Sequence, residues 1–292
     1  MDQKKAQLLM AAVIISRSVS YLFTKFAMQS MEIFNILGVR FLLAFLILAV
    51  IFRRKLRALS GRALLRGAIL GGLLFAIMAL ELTALKTTDT STTSFLENTA
   101  IIFVPLFTAL LERRFPDRDA SFHAVLAVAG IGLMTLVGAG FVFTPGEIMV
   151  MCGALLYASE IILIGKYSRE DDPLTLGIIQ IGVLGALAMV FSFLFEVPRL
   201  PQTGMEWSLI LLLALLCTSF GFALQPVAQR HISPERAGMF CALSPVSAMI
   251  AGTLILHEAF TPFKAAGAAL ILASILLPPL PERRHRAAVA RQ

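Results

Sequence analysis

The sequence predicts an all-α integral membrane protein whose ten transmembrane helices form a 5+5 inverted repeat. Three observations lead there: a composition too apolar for a soluble surface, an internal echo at about half the chain length, and a lopsided distribution of Lys and Arg between successive loops.

Hydrophobic residues make up 58% of the 292-residue chain and charged residues 15%, and the mean hydropathy is +0.84. A soluble domain needs a more polar exterior than this composition supplies. In hydrocarbon every backbone polar group must be satisfied internally, so a spanning helix needs about 20 mostly apolar residues. Ten segments meet that demand, at 8–28, 33–52, 64–85, 91–111, 121–141, 146–165, 173–195, 206–227, 237–256 and 262–281.

The echo divides the ten into five and five, with residues 1–142 as the first repeat and 143–292, including a basic tail, as the second. Ala84-Leu85-Lys86 matches Ala228-Gln229-Arg230, Phe95 matches Phe240 and Glu112 matches Glu258. Upstream, Ser18 and Lys25 match Ser159 and Lys166. Small drifts in offset are what loop insertions produce. A period near half the chain marks a two-lobed molecule, whereas solenoids repeat every few dozen residues.

Orientation follows from the basic residues, because cytoplasmic loops are enriched in them. With the N-terminus inside, nineteen Lys and Arg fall on the cytoplasmic side, six of them between the second and third spans (Arg53, Arg54, Lys55, Arg57, Arg62, Arg66), and only Lys86, Arg199 and Lys264 fall outside. Both termini are therefore expected in the cytoplasm. This topology also accounts for the formal net charge of +7 without a nucleic-acid partner. Five spans per repeat is an odd number, so the second repeat must enter from the opposite face. Met1 to Ile15 resembles a signal peptide, but the apolar run continues past Arg17 to Met28 and fills a repeat position, so it reads as the first helix. Cys152, Cys217 and Cys241 all lie within spans and read as small buried hydrophobes.

Polar and ionisable residues inside spans are costly and face a bundle interior or a wet cavity. At a rise of about 1.5 Å per residue, Lys25, Arg40, Glu81 and Glu97 sit within roughly 5–10 Å of the outer boundary. Two readings are open for this layer. In one it is a structural ion-pair network, with Arg40 bonded to a carboxylate and Lys25 snorkelling outward. In the other, Glu97, followed directly by Asn98, lines a cavity where a carboxylate binds an ammonium or carries a proton. Deeper in span 1, Arg17 is surrounded by Ser16, Ser18, Ser20 and Tyr21 and needs a partner. Glu160 in span 6, with Tyr157 one turn before it, fits that role, either as a buried bridge between the repeats or as the counter-ion of an empty carboxylate site. The repeat match also shows charges kept in one copy only: Arg17 aligns with Ala158, Glu81 with Gln225, Glu97 with Ala242 and Asn98 with Leu243.

Enzymatic signatures are thin. His123, His231, His257 and His285 lie at span ends or in the tail without metal-ligand spacing, no nucleophile and base are paired, and no glycine cluster joins a strand to a helix as a phosphate loop would. No cofactor, metal or catalytic residue is expected. Pro105, Pro226 and Pro245 can kink their spans.

Ten spans, a 5+5 repeat and two sets of motifs resemble the EamA-type transporters of the drug/metabolite transporter superfamily. The second-half motifs are Leu243-Ser244-Pro245-Val246, Glu258 and Gly267-Ala268-Ala269-Leu270-Ile271-Leu272; the first-half echo is Phe103-Val104-Pro105-Leu106-Phe107, Glu112-Arg113 and Gly130-Ile131-Gly132. Pro245 aligns with Thr99 rather than with Pro105, and Ser16-Arg17-Ser18 and Glu97-Asn98 depart from the family pattern. The resemblance implies a central cavity among spans 1, 3, 4, 6, 8 and 9, with Arg17, Tyr21, Glu81, Glu97, Asn98, Tyr157, Glu160, Gln225 and Ser244 as substrate-binding candidates and Glu97 as a proton-coupling candidate. It implies a secondary transporter of the cytoplasmic membrane working by alternating access, and the mixed charges within the spans fit a small polar metabolite, an amino acid or related zwitterion, with export the expected direction. Its partners would be the solute, the lipid bilayer and protons. A lipid-linked substrate flippase or a non-transporting scaffold or receptor subunit are the alternatives.

Overall fold

A computed structural model of the protein describes residues 1–84, 86–88, 93, 96–113, 115–135, 144–255 and 261–277; the side chains of residues 21, 22, 134, 135, 248, 251, 252, 254 and 255 lie outside that description. The described residues contain helices and no strands. We number ten spans: α1 Gln3–Ala27, α2 Ile33–Ile51, α3 Gly61–Ala84, α4 Leu96–Leu111, α5 Arg118–Thr135, α6 Pro145–Glu170, α7 Pro173–Phe195, α8 Gly204–Gln229, α9 in two pieces, Pro234–Cys241 and Leu243–Ile255, and α10 Pro262–Leu276. A short helical turn, Arg53–Arg57, carries part of the basic loop between α2 and α3. Among the described residues six helices, α1, α2, α3, α6, α7 and α8, are long and apolar enough to cross a membrane, and α4 and α10 are shorter apolar helices. The seventh expected span, 173–195, coincides with α7, whereas α6 runs to Glu170, one and a half turns beyond the expected end at 165.

Local sequence sets the helix starts most plainly in the second half. Thr144-Pro145, Asp172-Pro173, Ser233-Pro234 and Thr261-Pro262 each place a side-chain acceptor at the N-cap and a proline in the first turn, where no N–H is needed. Thr144 and Glu147 complete a reciprocal capping box. The start of α2 has no cap of its own. Glu196, at the far end of α7, supplies it: its two carboxylate oxygens accept the backbone N–H groups of Phe34 at 2.9 Å and Asn35 at 2.7 Å.

That bond also reports direction, because the end of α7 meets the start of α2. At the other end Lys55 Nζ, just past α2, lies 2.7 Å from Asp172 Oδ2, which opens α7. Between them Gly38 faces Met189, Gly185 faces Leu42 and Gly182 faces Phe45, so residue numbers rise on one helix as they fall on the other. Helices α2 and α7 occupy the same position in the two repeats and run antiparallel. Helices α5 and α10 do the same: Gly130 packs on Gly267 and Ile271, and His123 Nδ1 lies 2.6 Å from the Ser274 carbonyl. The expected inversion is thus visible in two pairs of equivalent helices.

Packing is tight where glycines let backbones approach. A Cβ on Gly177 of α7 would lie 2.5 Å from the carbonyl oxygen of Ala223 on α8, and one on Gly71 of α3 would lie 2.7 Å from that of Gln180 on α7. Small residues at such crossings are the usual means of helix association in lipid, where burial of apolar surface gives no drive. The main core joins Met10 and Ile14 of α1, Ala154 and Ile161 of α6, and Phe240 of α9. A second core is built on Leu37 and Phe41 of α2, Ile181 and Leu184 of α7, and Phe222 of α8. Outward-facing Leu46, Val50, Leu110, Phe193, Leu194 and Phe195 are exposed, as a lipid-facing surface requires.

Beyond the basic end of the bundle, Arg66 Nη1 donates to Asp171 Oδ2 at 2.6 Å and Nη2 pairs with Glu170, tying α3 to the α6–α7 turn. At the opposite end Arg199 makes a fork with both Glu206 oxygens, at 2.7 and 3.0 Å, and reaches the Ser30 carbonyl at 2.6 Å. Both clusters bridge the repeats. Lys25 is exposed, in keeping with the expected snorkelling.

Candidate functional site

Inside the bundle a narrow cavity of ≈ 50 Å³ opens between the repeats, and Arg17, Glu81, Glu97, Asn98, Tyr157 and Ser244 are among its lining residues. They come from α1, α3, α4, α6 and α9. A water needs about 10–15 Å³ of such space, so the cavity has room for a few waters and must widen to take a metabolite.

Arg17 is its most constrained cation. Its Nη1 donates to Gln225 Oε1 at 2.6 Å and to Tyr157 OH at 3.3 Å. The guanidinium carbon sits 4.1 Å from the centroid of the Phe222 ring and 5.5 Å from that of Tyr157. Rings below and amide oxygen beside it fix the plane of the fork. The stem is fixed by Gly221, where an added Cβ would lie 2.7 Å from Arg17 Cγ. Tyr157 OH lies 3.2 Å from Cys241 Sγ. Ser18 Oγ, one residue along, donates to the Ile14 carbonyl at 2.6 Å and lies 3.0 Å from Ser244 Oγ, joining α1 to α9.

The expected Arg17–Glu160 bridge is absent. Glu160 is fully buried and accepts a hydrogen bond at 2.9 Å from Gln180 Nε2 on α7. It lies outside the cavity lining. Arg40, expected to pair with a carboxylate, instead donates from Nε to Thr218 Oγ1 at 2.6 Å and from Nη1 to Thr24 Oγ1 at 3.5 Å. Its Nη2 is buried without a hydrogen-bond partner. Both differences have one cause: helical depth sets which residues share a layer, but rotation about each helix axis decides which of them face each other.

Helix irregularities converge on the same place. Helix α4 breaks at Thr99 and α9 at Ala242, and the two residues share φ −62° and ψ −15°. At each break an N–H bonds three residues back, Thr99 to Leu96 at 3.1 Å and Ala242 to Met239 at 3.1 Å. Glu97 and Asn98 precede the first break, and Leu243 and Ser244 follow the second. Both repeats therefore break near this depth, two to three residues apart in the repeat match, while the polar pair is kept in one copy only. Discontinuous helices at the middle of a repeat interface are a common way to build a solute site. In α8, residues Leu213–Phe220 form a π-helix, an irregularity often found at functional sites. The Leu216 carbonyl there accepts Ser16 Oγ at 2.7 Å.

Of the sequence-derived candidates, six line the cavity and Gln225 reaches it through Arg17. Glu160 stands apart with Gln180, and Tyr21 lies on α1 with its side chain outside the described residues. Ser20, Thr24, Phe222 and Cys241 also line the cavity and are not among those binding candidates. Ser20 and Thr24 were within reach of the sequence, since they follow Arg17 by three and seven residues on one helix face. Gln180 was too, as a lone amide in an apolar span. Phe222 carried no signal, because a phenylalanine beneath a guanidinium looks like any other apolar residue.

This fold and site define a multi-pass membrane protein built from two helical repeats around a polar cavity. The chain belongs to the EamA-like transporter family, whose model matches it twice, over residues 4–136 and 144–278. It is 29% identical over 197 residues to an uncharacterized transporter of Archaeoglobus fulgidus, a match covering 64% of this chain and 59% of that protein. It is 25% identical over 284 residues to a second uncharacterized transporter of that organism, covering 94% and 96%. A biotin transporter of Salmonella typhimurium is 22% identical over 180 residues, 60% of each chain. A solved structure matches the fold with TM-score 0.79 at 17% identity, covering 94% of this chain and 96% of that one. Family and relatives place the chain with transporters rather than enzymes.

Proposed function

We propose that the protein is a secondary transporter that exports a small polar metabolite, an amino acid or related zwitterion, across the cytoplasmic membrane by alternating access. The observation that carries this reading is the placement of the Arg17 guanidinium in one cavity with Glu81, Glu97 and Asn98. Arg17 receives the solute carboxylate, exchanging its amide partner Gln225 for a charged one. Glu97 or Glu81 meets the amine, and Asn98, Tyr157 and Ser244 supply the neutral hydrogen bonds. Two carboxylates and one guanidinium in a site with little water discriminate by charge, because an unmatched ion there is costly.

Both termini are assigned to the cytoplasm by the basic loops, and the boundary between repeats to residues 142 and 143. The solute enters from the side bearing Arg66 and Lys55 and leaves past Arg199. The Salmonella relative's name specifies biotin, itself a carboxylate, which favours Arg17 as the anchor over either glutamate. Uptake of radiolabelled amino acids by proteoliposomes holding the purified chain alone tests the proposal. Saturable uptake lost in Arg17→Ala supports it. Competition by lipid-linked sugars in place of amino acids supports a flippase instead, and the absence of transport of either class supports a scaffold.

A further inference from the structure

We infer that Glu160 is a proton-binding site, holding its proton on Oε2 in this closed conformation as a neutral acid paired with the Gln180 amide. The two side chains are fully buried, and one hydrogen bond joins them, from Gln180 Nε2 to Glu160 Oε1 at 2.9 Å. Two oxygens are then left over, Glu160 Oε2 and Gln180 Oε1, and neither has a hydrogen-bond partner.

An ionised carboxylate and an amide oxygen are both acceptors only, so this pair is short of a donor. Buried polar atoms are almost always satisfied, and a pair of adjoining orphans calls for one explanation. A proton on Oε2 supplies the missing donor within the same two side chains, with Gln180 Oε1 as the tethered acceptor. Acid and amide then match in donors and acceptors, two of each in use. Reversing the Gln180 amide does not remove the need, because it sets two oxygens face to face and merely moves the demand for a proton.

No basic side chain among the described residues bonds to Glu160, whose hydrogen-bond partner is Gln180. From α1 the charged group facing Glu160 is Arg17, which is committed to Gln225 and Tyr157. From α4 it is Glu97, a second carboxylate. From α9 the titratable group is the neutral Cys241 thiol. On its own helix Tyr157 points to Arg17 and Cys241, and Glu81 on α3 lines the cavity beyond. Helix α7 contributes the neutral Gln180 alone. Glu97, the proton-coupling candidate of the sequence, is only half-buried and lines the cavity, whereas Glu160 is fully buried outside it. Exposure of the Glu160–Gln180 pair to water would let the proton pass to solvent. The inference does not depend on the identity of the solute.

Infrared spectra of the purified full chain in detergent at neutral pH test it. The expected result is a carboxylic-acid carbonyl band that is lost in Glu160→Gln and shifted in Gln180→Met, which removes the acceptor. Glu160→Gln mimics the neutral acid in size and hydrogen bonding, so its thermal midpoint is expected within about 3 °C of the native value. Loss of a carboxylate band rather than an acid band in Glu160→Gln overturns the inference. Should that variant not fold, Gln180→Met alone decides: a shifted acid band supports the site and an unchanged spectrum overturns it. No solute is needed, so failure here leaves the transport reading standing.

Discussion

Arg17 Nη1 donates to Gln225 Oε1 at 2.6 Å, so the cation deepest in the first helix is held by the amide that replaces Glu81 in the second repeat. A carboxylate at that position would neutralise the guanidinium permanently. The amide orients the guanidinium without cancelling its charge.

Two substitutions separate these roles. Gln225→Glu is expected to stabilise the protein and abolish transport, by occupying Arg17. Gln225→Leu is expected to lower the thermal midpoint, as loss of a hydrogen bond to a charged group costs about 1.5–3 kcal/mol, while Arg17 stays open to the solute carboxylate and transport persists. Initial uptake rates in proteoliposomes, alongside thermal midpoints, check both. Equal transport by Gln225→Glu and the native chain would rule out Arg17 as the anchor.

Glu97→Gln tests the other pole of the site. Selectivity for zwitterions over simple carboxylates is expected to fall by roughly 10-fold, since a charge-assisted bond becomes a neutral one. The pH dependence of transport is expected to persist, because the proton site lies at Glu160. Uptake of a labelled amino acid and of its deaminated analogue across a pH series measures both effects.

Glycine contacts distinguish site from scaffold. Gly221→Ala sets a methyl 2.7 Å from Arg17 Cγ and is expected to displace the guanidinium, lowering transport with little change in stability. Gly177→Ala sets one 2.5 Å from the Ala223 backbone. It must part α7 from α8, and is expected to cost about 1–3 kcal/mol. Thermal unfolding in detergent reads the second, and transport by folded protein the first.

Asp172 couples stability to pH. Partial burial pushes its carboxyl up, but the Lys55 ammonium and the Thr175 N–H and hydroxyl outweigh that and hold it below the usual carboxylate range. A depressed folded-state value means the stabilisation is present above the unfolded-state value, about 3.9, and fades as pH falls through the folded one. Asp172→Ala is therefore expected to destabilise the protein at neutral pH by about 1 kcal/mol for the lost cap, read as a lower thermal midpoint, and to lose that deficit in acid. A deficit independent of pH would contradict the assignment.

Much of the architecture was legible before any coordinates. The span at 173–195, the starts near 146 and 262, and the inversion all follow from apolar span length and from the parity of five helices. The site was legible in part. Arg17, Glu81, Glu97, Asn98, Tyr157 and Ser244 could be picked because charge and polarity are conspicuous inside apolar spans, and they do share a cavity. The pairing among them could not be picked. Arg17 takes Gln225 and not Glu160, Arg40 takes Thr218 and not a carboxylate, and Glu160 turns to Gln180.

By itself the sequence determined the membrane class, the number of spans, the repeat and the identity of its buried polar groups, because those rest on the cost of placing charge and unbonded backbone in hydrocarbon. Tertiary structure alone decided who meets whom. Helix rotation, the paired breaks at Thr99 and Ala242 and the π-helix in α8 turn side chains by fractions of a turn, and at hydrogen-bond range a fraction of a turn selects the partner.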